Sequence, residues 1–278
     1  LHPVAHSFPT RRSSDLSYEF RSKPRNFLGP KTYEIFLFLN GLLGTVLVGT
    51  AVATFFTGSM FFVDDNNFSY WMTPFRGLEL AFDFGRYATY VNLSLGLAVF
   101  FLARILGILY FMNNVDSDSI LARAKSSLMK NAIPFLFFFL FFVVNIMLRK
   151  GFAVDPATKE VYMEPFKYFH NLIEMPVVLI LFLLGVVMVL WGIARPLFSY
   201  DKCGRKGIWF GGLGTVLTVL SLLCLAGFNN TAFYPSIYDL QSSLTIENAS
   251  SSHYTLTAMS YVSLLVPFVL AYIWYAWR

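Results

Sequence analysis

Cysteine and charge are both scarce in this chain of 278 residues. It has two cysteines, Cys203 and Cys224, and only 13% of its residues are charged, about half of the ~25% that is typical of soluble domains. Two cysteines cannot form the framework of a disulfide-rich domain, and the low charge excludes a disordered chain. The formal net charge of +5 does not indicate a nucleic-acid binder, because the basic residues lie between long apolar runs.

Apolar and aromatic residues dominate instead. The chain is 56% hydrophobic and 18% aromatic, and it contains 31 phenylalanines. Six runs are long enough to cross a membrane as helices, and each is continuously apolar rather than alternating as in a barrel strand. The six predicted spans are Tyr33–Thr57, Tyr87–Phe111, Ala132–Leu148, His170–Ile193, Ile208–Phe228 and Tyr254–Trp277. The sequence therefore predicts an all-α polytopic membrane protein whose helices pack as a bundle.

Lysine and arginine are distributed unevenly between alternate loops. With residues 1–16 left out, twelve lie in one set of connections and six in the opposite set. Because positive residues are enriched in cytoplasmic loops, we expect the richer set to be cytoplasmic. Both ends of the segment 17–278 then lie inside the cell, and the loops around Asp64, Asp155 and Asp239 lie outside.

The first sixteen residues, LHPVAHSFPTRRSSDL, differ in character from the rest. They are rich in arginine and serine but lack the apolar region of a secretory signal. The stretch His6–Leu16, HSFPTRRSSDL, matches one reading frame of a widely used sequencing adapter. We therefore expect residues 1–16 to be a non-native, adapter-derived segment and residues 17–278 to be the folded protein.

Arg104 is an ionisable residue deep inside a predicted span, in FFLARILGILYF. It lies about 13 Å along the helix from Asn113, at 1.5 Å per residue. One interpretation is an ion pair with another helix or subunit. The other is a long side chain that reaches the inner headgroups across a thinned bilayer. The sequence leaves both open.

Glu174 lies one turn into the fourth predicted span, four residues after His170. A carboxylate there could belong to a proton relay or an ion site. We favour the simpler interpretation, a carboxylate stabilised by the positive end of the helix dipole. Two side chains do not complete a metal site, and the sequence shows no nucleophile–base pair, metal-ligand cluster or c-type haem motif. Most of any catalytic chemistry is therefore expected outside this chain.

Small residues within the runs indicate close helix packing, above all Gly41, Gly44 and Gly49, because small side chains let helix backbones approach each other. The glycines of Gly211-Gly212-Leu213-Gly214 open a membrane run. They lack the strand and the spacing of a dinucleotide-binding motif, so we reject that interpretation.

Several longer segments resemble subunit II of the cytochrome bd quinol oxidase. They are SYEFRSKPRNFLG (Ser17–Gly29), ATFFTGSMF (Ala53–Phe61), WMTPFRGLEL (Trp71–Leu80), LGLAVFFLARILGILYFMNN (Leu95–Asn114) and the whole stretch Phe228–Arg278. They are the most telling parts of a resemblance that runs from Ser17 to Arg278, and none of them is a short pattern that arises by chance.

The resemblance implies a fold, a partner and an activity. It implies eight spanning helices, of which this chain would hold the last six, in the bacterial inner membrane. The partner would be subunit I, which carries haem b, haem d and the quinol site, whereas subunit II binds no haem through its own ligands. The complex would reduce dioxygen to water with electrons from quinol, and take up protons from the cytoplasm.

The resemblance also singles out Glu19. This residue stands where the family has an Asp or Glu that is assigned to the cytoplasmic proton route, and burial can raise the pKa of a carboxyl group towards the working pH. The plain alternative is a solvated carboxylate beside Arg21 and Lys23. The family's Gly-Phe-Asp and Trp-Asp-Gly-Asn motifs, which supply further acids, are not found in this sequence.

Two other functions are alternatives to the oxidase subunit. A six-helix transporter is expected to show an inverted repeat with broken helices at matching positions, and we find no such repeat. A purely structural membrane scaffold differs from the oxidase subunit only in whether Glu19 carries protons.

Overall fold

The chain is described by a computed structural model over residues 17–21, 23, 28–75, 77–198 and 206–277. The predicted adapter-derived segment and Cys203 lie outside these ranges. Six long helices dominate: α1 (Pro30–Thr57), α2 (Tyr87–Asn114), α3 (Asp118–Leu148), α4 (Pro176–Phe198), α5 (Gly207–Gly227) and α6 (His253–Ala276). All six are long and apolar enough to span a membrane, which confirms the predicted class and the number of spans.

Helix α3 begins at Asp118, well before Ala132, where the third predicted span starts. The added segment contains Leu, Ala, Lys, Arg and Met, all good helix formers, and Asp118 in the first turn suits the helix dipole. Its charged residues, which include Arg123 and Lys125, lower its hydropathy, so a prediction based on hydropathy does not include this segment. The helix therefore continues beyond the apolar run that crosses the membrane.

The fourth predicted span is divided into two helices. A short helix, Lys167–Glu174, ends before Met175, and α4 begins at Pro176. Proline has no backbone N–H and disfavours helical geometry in the residue before it, and Met175 accordingly adopts φ −109° and ψ 79°. Glu174 thus lies outside the spanning helix, and the prediction that it lies one turn inside a span is wrong.

Helices α4 and α5 pack through glycines. A Cβ atom on Gly192 would lie 2.5 Å from the nitrogen of Gly211, and one on Gly185 would lie 2.6 Å from the Thr218 hydroxyl. Both distances are too short for a side chain. The glycine-rich start of α5, rejected above as a dinucleotide motif, therefore serves helix packing.

Helices α1 and α2 also meet at glycines. A Cβ atom on Gly49 would lie 2.7 Å from the Cα of Gly96, so the predicted packing role of Gly49 is confirmed. Gly41 and Gly44 have no atom of the described chain within 4 Å of an added Cβ, so a packing role for these two stays a prediction. Helix α6 differs from the others because none of its residues is buried.

Two short antiparallel hairpins, which the sequence analysis did not predict, follow the ends of α1 and α3. The first pairs β1 (Phe61–Val63) with β2 (Ser69–Trp71), and the second pairs β3 (Lys150–Val154) with β4 (Val161–Pro165). Aromatic and β-branched residues favour these strands. We call the two hairpins, together with residues 228–250, the cap.

Backbone hydrogen bonds join the three parts of the cap. The Val154 amide donates to the Asn230 carbonyl at 2.8 Å, and the Ser59 amide, just after α1, donates to the Pro235 carbonyl at 3.0 Å. The loops around Asp64, Asp155 and Asp239 therefore lie on one side of the bundle, as six alternating spans require. We call this the cap side; that it faces the cell exterior stays a prediction.

Candidate functional site

Glu19 belongs to a helical turn at residues 17–20, on the side of the bundle opposite the cap. Its carboxylate accepts from the Lys23 ammonium at 2.5 Å, and the next basic residue, Arg21, lies 3.7 Å from Glu34 in the first turns of α1. The Glu19 side chain is 61% exposed. On this chain alone it forms a solvated ion pair, and burial of its carboxylate would require another chain or segment.

Arg104 lies on an exposed face of α2. Its guanidinium is placed over the Phe100 ring, 5.5 Å from the centroid, which is a cation–π contact. In the part of the chain that the structure describes, no carboxylate lies within ion-pair distance of Arg104. The charge is therefore directed outward, towards lipid or towards another subunit.

Glu174 and His170, four residues apart in the sequence, have different partners. Glu174 is exposed and accepts a hydrogen bond from the Asn229 side chain. The Nδ1 of His170 lies 3.4 Å from Glu164, and the same carboxylate pairs with Lys167 at 3.4 Å. The acidic partner of His170 thus comes from strand β4.

A buried amide network connects Glu174 to the core on the cap side. Asn171, fully buried, donates to the Leu225 carbonyl at 3.2 Å and to the Thr231 hydroxyl at 2.7 Å. Asn229 donates to the Asn171 side-chain oxygen at 3.1 Å. These bonds hold the short helix Lys167–Glu174 against the end of α5, and the sequence analysis did not foresee them.

Arg149, the residue directly after α3, forms a second cluster that sequence reasoning missed. Its guanidinium interacts electrostatically with the phenols of Tyr168 and Tyr87, and burial lowers the pKa of Arg149. Tyr168 is fully buried and donates to the Phe56 carbonyl at 3.3 Å, whereas Tyr87 donates to the Asn145 side chain. The only sequence signal was the Arg149-Lys150 pair directly after an apolar run.

The described residues offer no site for a metal ion built from the usual side chains. They include no group of three His, Cys, Asp or Glu side chains able to hold a metal. The two described histidines, His170 and His253, lie in a short helix outside the spans and at the first residue of α6. Neither lies in the interior of a spanning helix, and we derive no step through a haem or a metal ion.

A family model for cytochrome bd terminal oxidase subunit II matches residues 14–278. The chain belongs to this family. Membership in the subunit II family makes it an integral protein of the bacterial plasma membrane and part of a multi-subunit, haem-containing terminal quinol oxidase. A search of curated proteins returned no match.

Proposed function

We propose that this chain is the non-haem subunit of a bd-type quinol:oxygen oxidoreductase, that it packs against the haem-bearing subunit I, and that it helps to deliver cytoplasmic protons for the reduction of O2 to water. The family match over residues 14–278 carries the proposal and favours it over a six-helix transporter. Haem b and haem d would belong to subunit I, and quinol would be the substrate of the complex. The turnover would be electrogenic because the protons come from one side.

Arg104 supports the packing against another subunit. A charge in the middle of a spanning helix is costly in lipid, and this one is exposed on its own chain. An acidic group of subunit I would neutralise it. If so, Arg104→Gln should lower the yield of intact complex, whereas Arg86→Gln should not, because Arg86 already pairs with Asp83 at 3.0 Å. Equal yields for both variants would refute this contact.

Glu19 is the proposed proton carrier. A carboxylate at the end of the bundle opposite the cap can exchange protons with the cytoplasm if that end faces inward. In the purified complex, Glu19→Gln should lower quinol-driven O2 consumption at least about tenfold, because a relay needs a titratable group. Glu34→Gln, at the same end of α1, is the matched control. Unchanged turnover in the Glu19 variant would contradict the proton relay and favour a purely structural role for the chain.

Glu174 is the weaker candidate for a proton route. Its bond to Asn229 suits a structural role equally well. Glu174→Gln separates the two roles, because the amide oxygen can still accept from Asn229 while the titratable proton is lost. A proton route through Glu174 predicts slower turnover with an unchanged unfolding temperature.

A further inference from the structure

A cavity of about 630 Å³ lies in the cap, between the β1–β2 hairpin and residues 228–250. Its volume falls in the range of about 300–1,000 Å³ that is typical of small-molecule sites. The hairpin contributes alternate residues, among them Phe61, Val63 and Trp71, because alternate residues of a strand share one face. Other lining residues, such as Asp65 and Gln241, are exposed. A ligand can therefore enter this cap cavity from the solvent.

Three aromatic rings line one part of the cap cavity. The rings of Phe61 and Tyr234 stack with their centroids 5.4 Å apart, and the centroids of Phe61 and Trp71 are 5.9 Å apart. Phe61 is buried, whereas Trp71 and Tyr234 are partly exposed, so the latter two rings are the ones that a ligand can contact. Aromatic rings attract cations to their faces, and tryptophan does so most strongly.

Two carboxylates, those of Asp65 and Asp239, also line the cap cavity, and none of its described lining residues is a lysine or an arginine. The Asp239 carboxylate is held in place by the Ser242 hydroxyl at 2.5 Å and the Gln241 amide at 3.2 Å. The Asp65 carboxylate forms no ion pair within the described ranges. Because aspartates are negatively charged at neutral pH, the cavity has an excess of negative charge.

The charges and the rings together indicate the class of ligand. The two carboxylates repel an anion. A bare metal ion needs several oxygen ligands at once, and the described residues contain no group of three acidic, histidine or cysteine side chains that could hold one. A neutral molecule would gain no charge attraction from the carboxylates. An organic cation uses both features, because its charge attracts the carboxylates and its alkyl groups can contact the rings.

We propose that the cap cavity binds an organic ammonium cation, whose charge is attracted by Asp65 and Asp239 and whose alkyl groups contact the rings of Trp71 and Tyr234. Aromatic side chains beside acidic ones suit such a cation because quaternary ammonium groups are weakly hydrated and bind ring faces well. The site lies at the end of the bundle opposite Glu19, so it is independent of the proposed proton route.

The test uses the purified oxidase complex that contains the full subunit, in a neutral detergent at low ionic strength. Choline, a small quaternary ammonium cation, is titrated calorimetrically, and its uncharged carbon isostere dimethylbutanol is titrated in a parallel arm. The complex should bind choline saturably and should bind the isostere at least about tenfold more weakly, because only the cation is attracted by the carboxylates and the ring faces. Added salt should weaken choline binding, since the carboxylates are exposed and are screened by ions.

Three variants locate the bound cation. Trp71→Leu should weaken choline binding about tenfold, as for the loss of one cation–π contact. Asp65→Asn should weaken it about threefold, as for the loss of one exposed charge contact. Asp155→Asn is the matched control, because it removes a carboxylate from the other hairpin of the cap, outside the cavity lining, and it should bind choline as the wild type does.

Three outcomes would overturn the proposal. The first is that the wild-type complex does not bind choline. The second is that the isostere binds as tightly as choline, which would indicate a crevice for neutral molecules. The third is that choline binding is unchanged in Trp71→Leu and Asp65→Asn, which would place the cation elsewhere in the complex. If Trp71→Leu does not assemble, Asp65→Asn decides alone, and unchanged binding in that variant contradicts the proposal.

Discussion

At the scale of single residues, the Glu79 carboxylate organises the turn between β2 and α2. It accepts from the Phe75 amide at 2.5 Å and from the Gly77 amide at 3.0 Å. Partial desolvation acts to raise the pKa of Glu79, but the bonds from its own amide, from Phe75 and Gly77 and from the Thr73 hydroxyl outweigh it and lower the pKa from its ordinary value of 4.5. The ionised form is therefore the one that this turn stabilises.

This shift predicts an acid-sensitive turn. A carboxyl group whose pKa is lower in the folded state contributes stability that is complete above its unfolded pKa and is lost as the pH falls through the folded one. The amides of Phe75 and Gly77 should therefore be protected from hydrogen exchange at pH 6 and lose protection only once the pH falls below the ordinary titration range of a glutamate. Glu79→Gln should show exchange about fivefold faster at pH 6, as for one weakened hydrogen bond, and little further change on acidification.

A nearby carboxylate provides the control. Asp83 accepts from the Gly85 amide at 3.2 Å and pairs with Arg86, and no bond joins it to Phe75 or Gly77. Asp83→Asn should leave the protection of those two amides as in the wild type. Faster exchange there in the Asp83 variant would mean that the turn responds to general charge and not to the Glu79 bonds.

Membrane depth could be predicted from the sequence, but partners could not. The apolar run around Arg104 was enough to predict a charge at membrane depth. The structure adds that the Arg104 side chain is exposed on the surface of its own chain. Nothing in the sequence indicated the acidic partner of His170, which strand β4 supplies as Glu164. Pairing depends on which strand returns to the helix, and a single sequence does not contain that information.

At the scale of helices, the contact between α4 and α5 depends on backbone proximity at Gly192. A Cβ there would meet the Gly211 nitrogen at 2.5 Å and the Gly207 carbonyl at 2.8 Å. These are backbone atoms, which cannot rotate away. Gly192→Val should therefore force the two helices apart and cost about 1–3 kcal/mol, as overpacking usually does. The thermal unfolding midpoint in detergent measures the loss.

Gly212 is the matched position for this substitution. It lies on α5 within the same glycine-rich segment, but no atom lies within 4 Å of an added Cβ. Gly212→Val should leave the midpoint nearly unchanged. Equal losses in the two variants would show that the valine side chain, and not the helix contact, is responsible.

Hydropathy predicts where helices cross the membrane but not where they begin and end. The bounds of α1, α2, α5 and α6 agree with the predicted spans within three residues. Helix α3 extends into a charged segment that hydropathy excludes, and the fourth span is broken at Pro176. Local backbone chemistry decides both cases. High helix propensity extends α3, and the missing N–H of Pro176 breaks the fourth span.

At the scale of the whole molecule, the cap connects the ends of three helices that are far apart in sequence. The amide of Ile237 donates to the Ser59 carbonyl at 3.0 Å, beside α1, and that of Ala232 donates to the Phe152 carbonyl at 3.1 Å, beside α3. The alternation of six spans already predicted that these loops share a side. The hairpins themselves were not predicted, because strands of three to five residues give no clear periodic signal.

Ser236 should contribute more to the stability of the cap than the Lys159–Glu247 ion pair on the surface of the cap. The fully buried Ser236 hydroxyl donates to the Phe61 carbonyl and accepts from the amides of Tyr238 at 3.3 Å and Asp239 at 3.2 Å. Ser236→Ala removes the partner of the Phe61 carbonyl and of two part-buried amides, and should cost about 1–3 kcal/mol in the free energy of unfolding. Lys159 pairs with Glu247 at 2.6 Å, but both side chains are more than half exposed, so Lys159→Ala should cost less than about 1 kcal/mol. Denaturant titrations of the two variants in detergent measure both free energies of unfolding. A larger loss of stability in the Lys159 variant would show that surface charge, and not the buried hydroxyl, stabilises the cap.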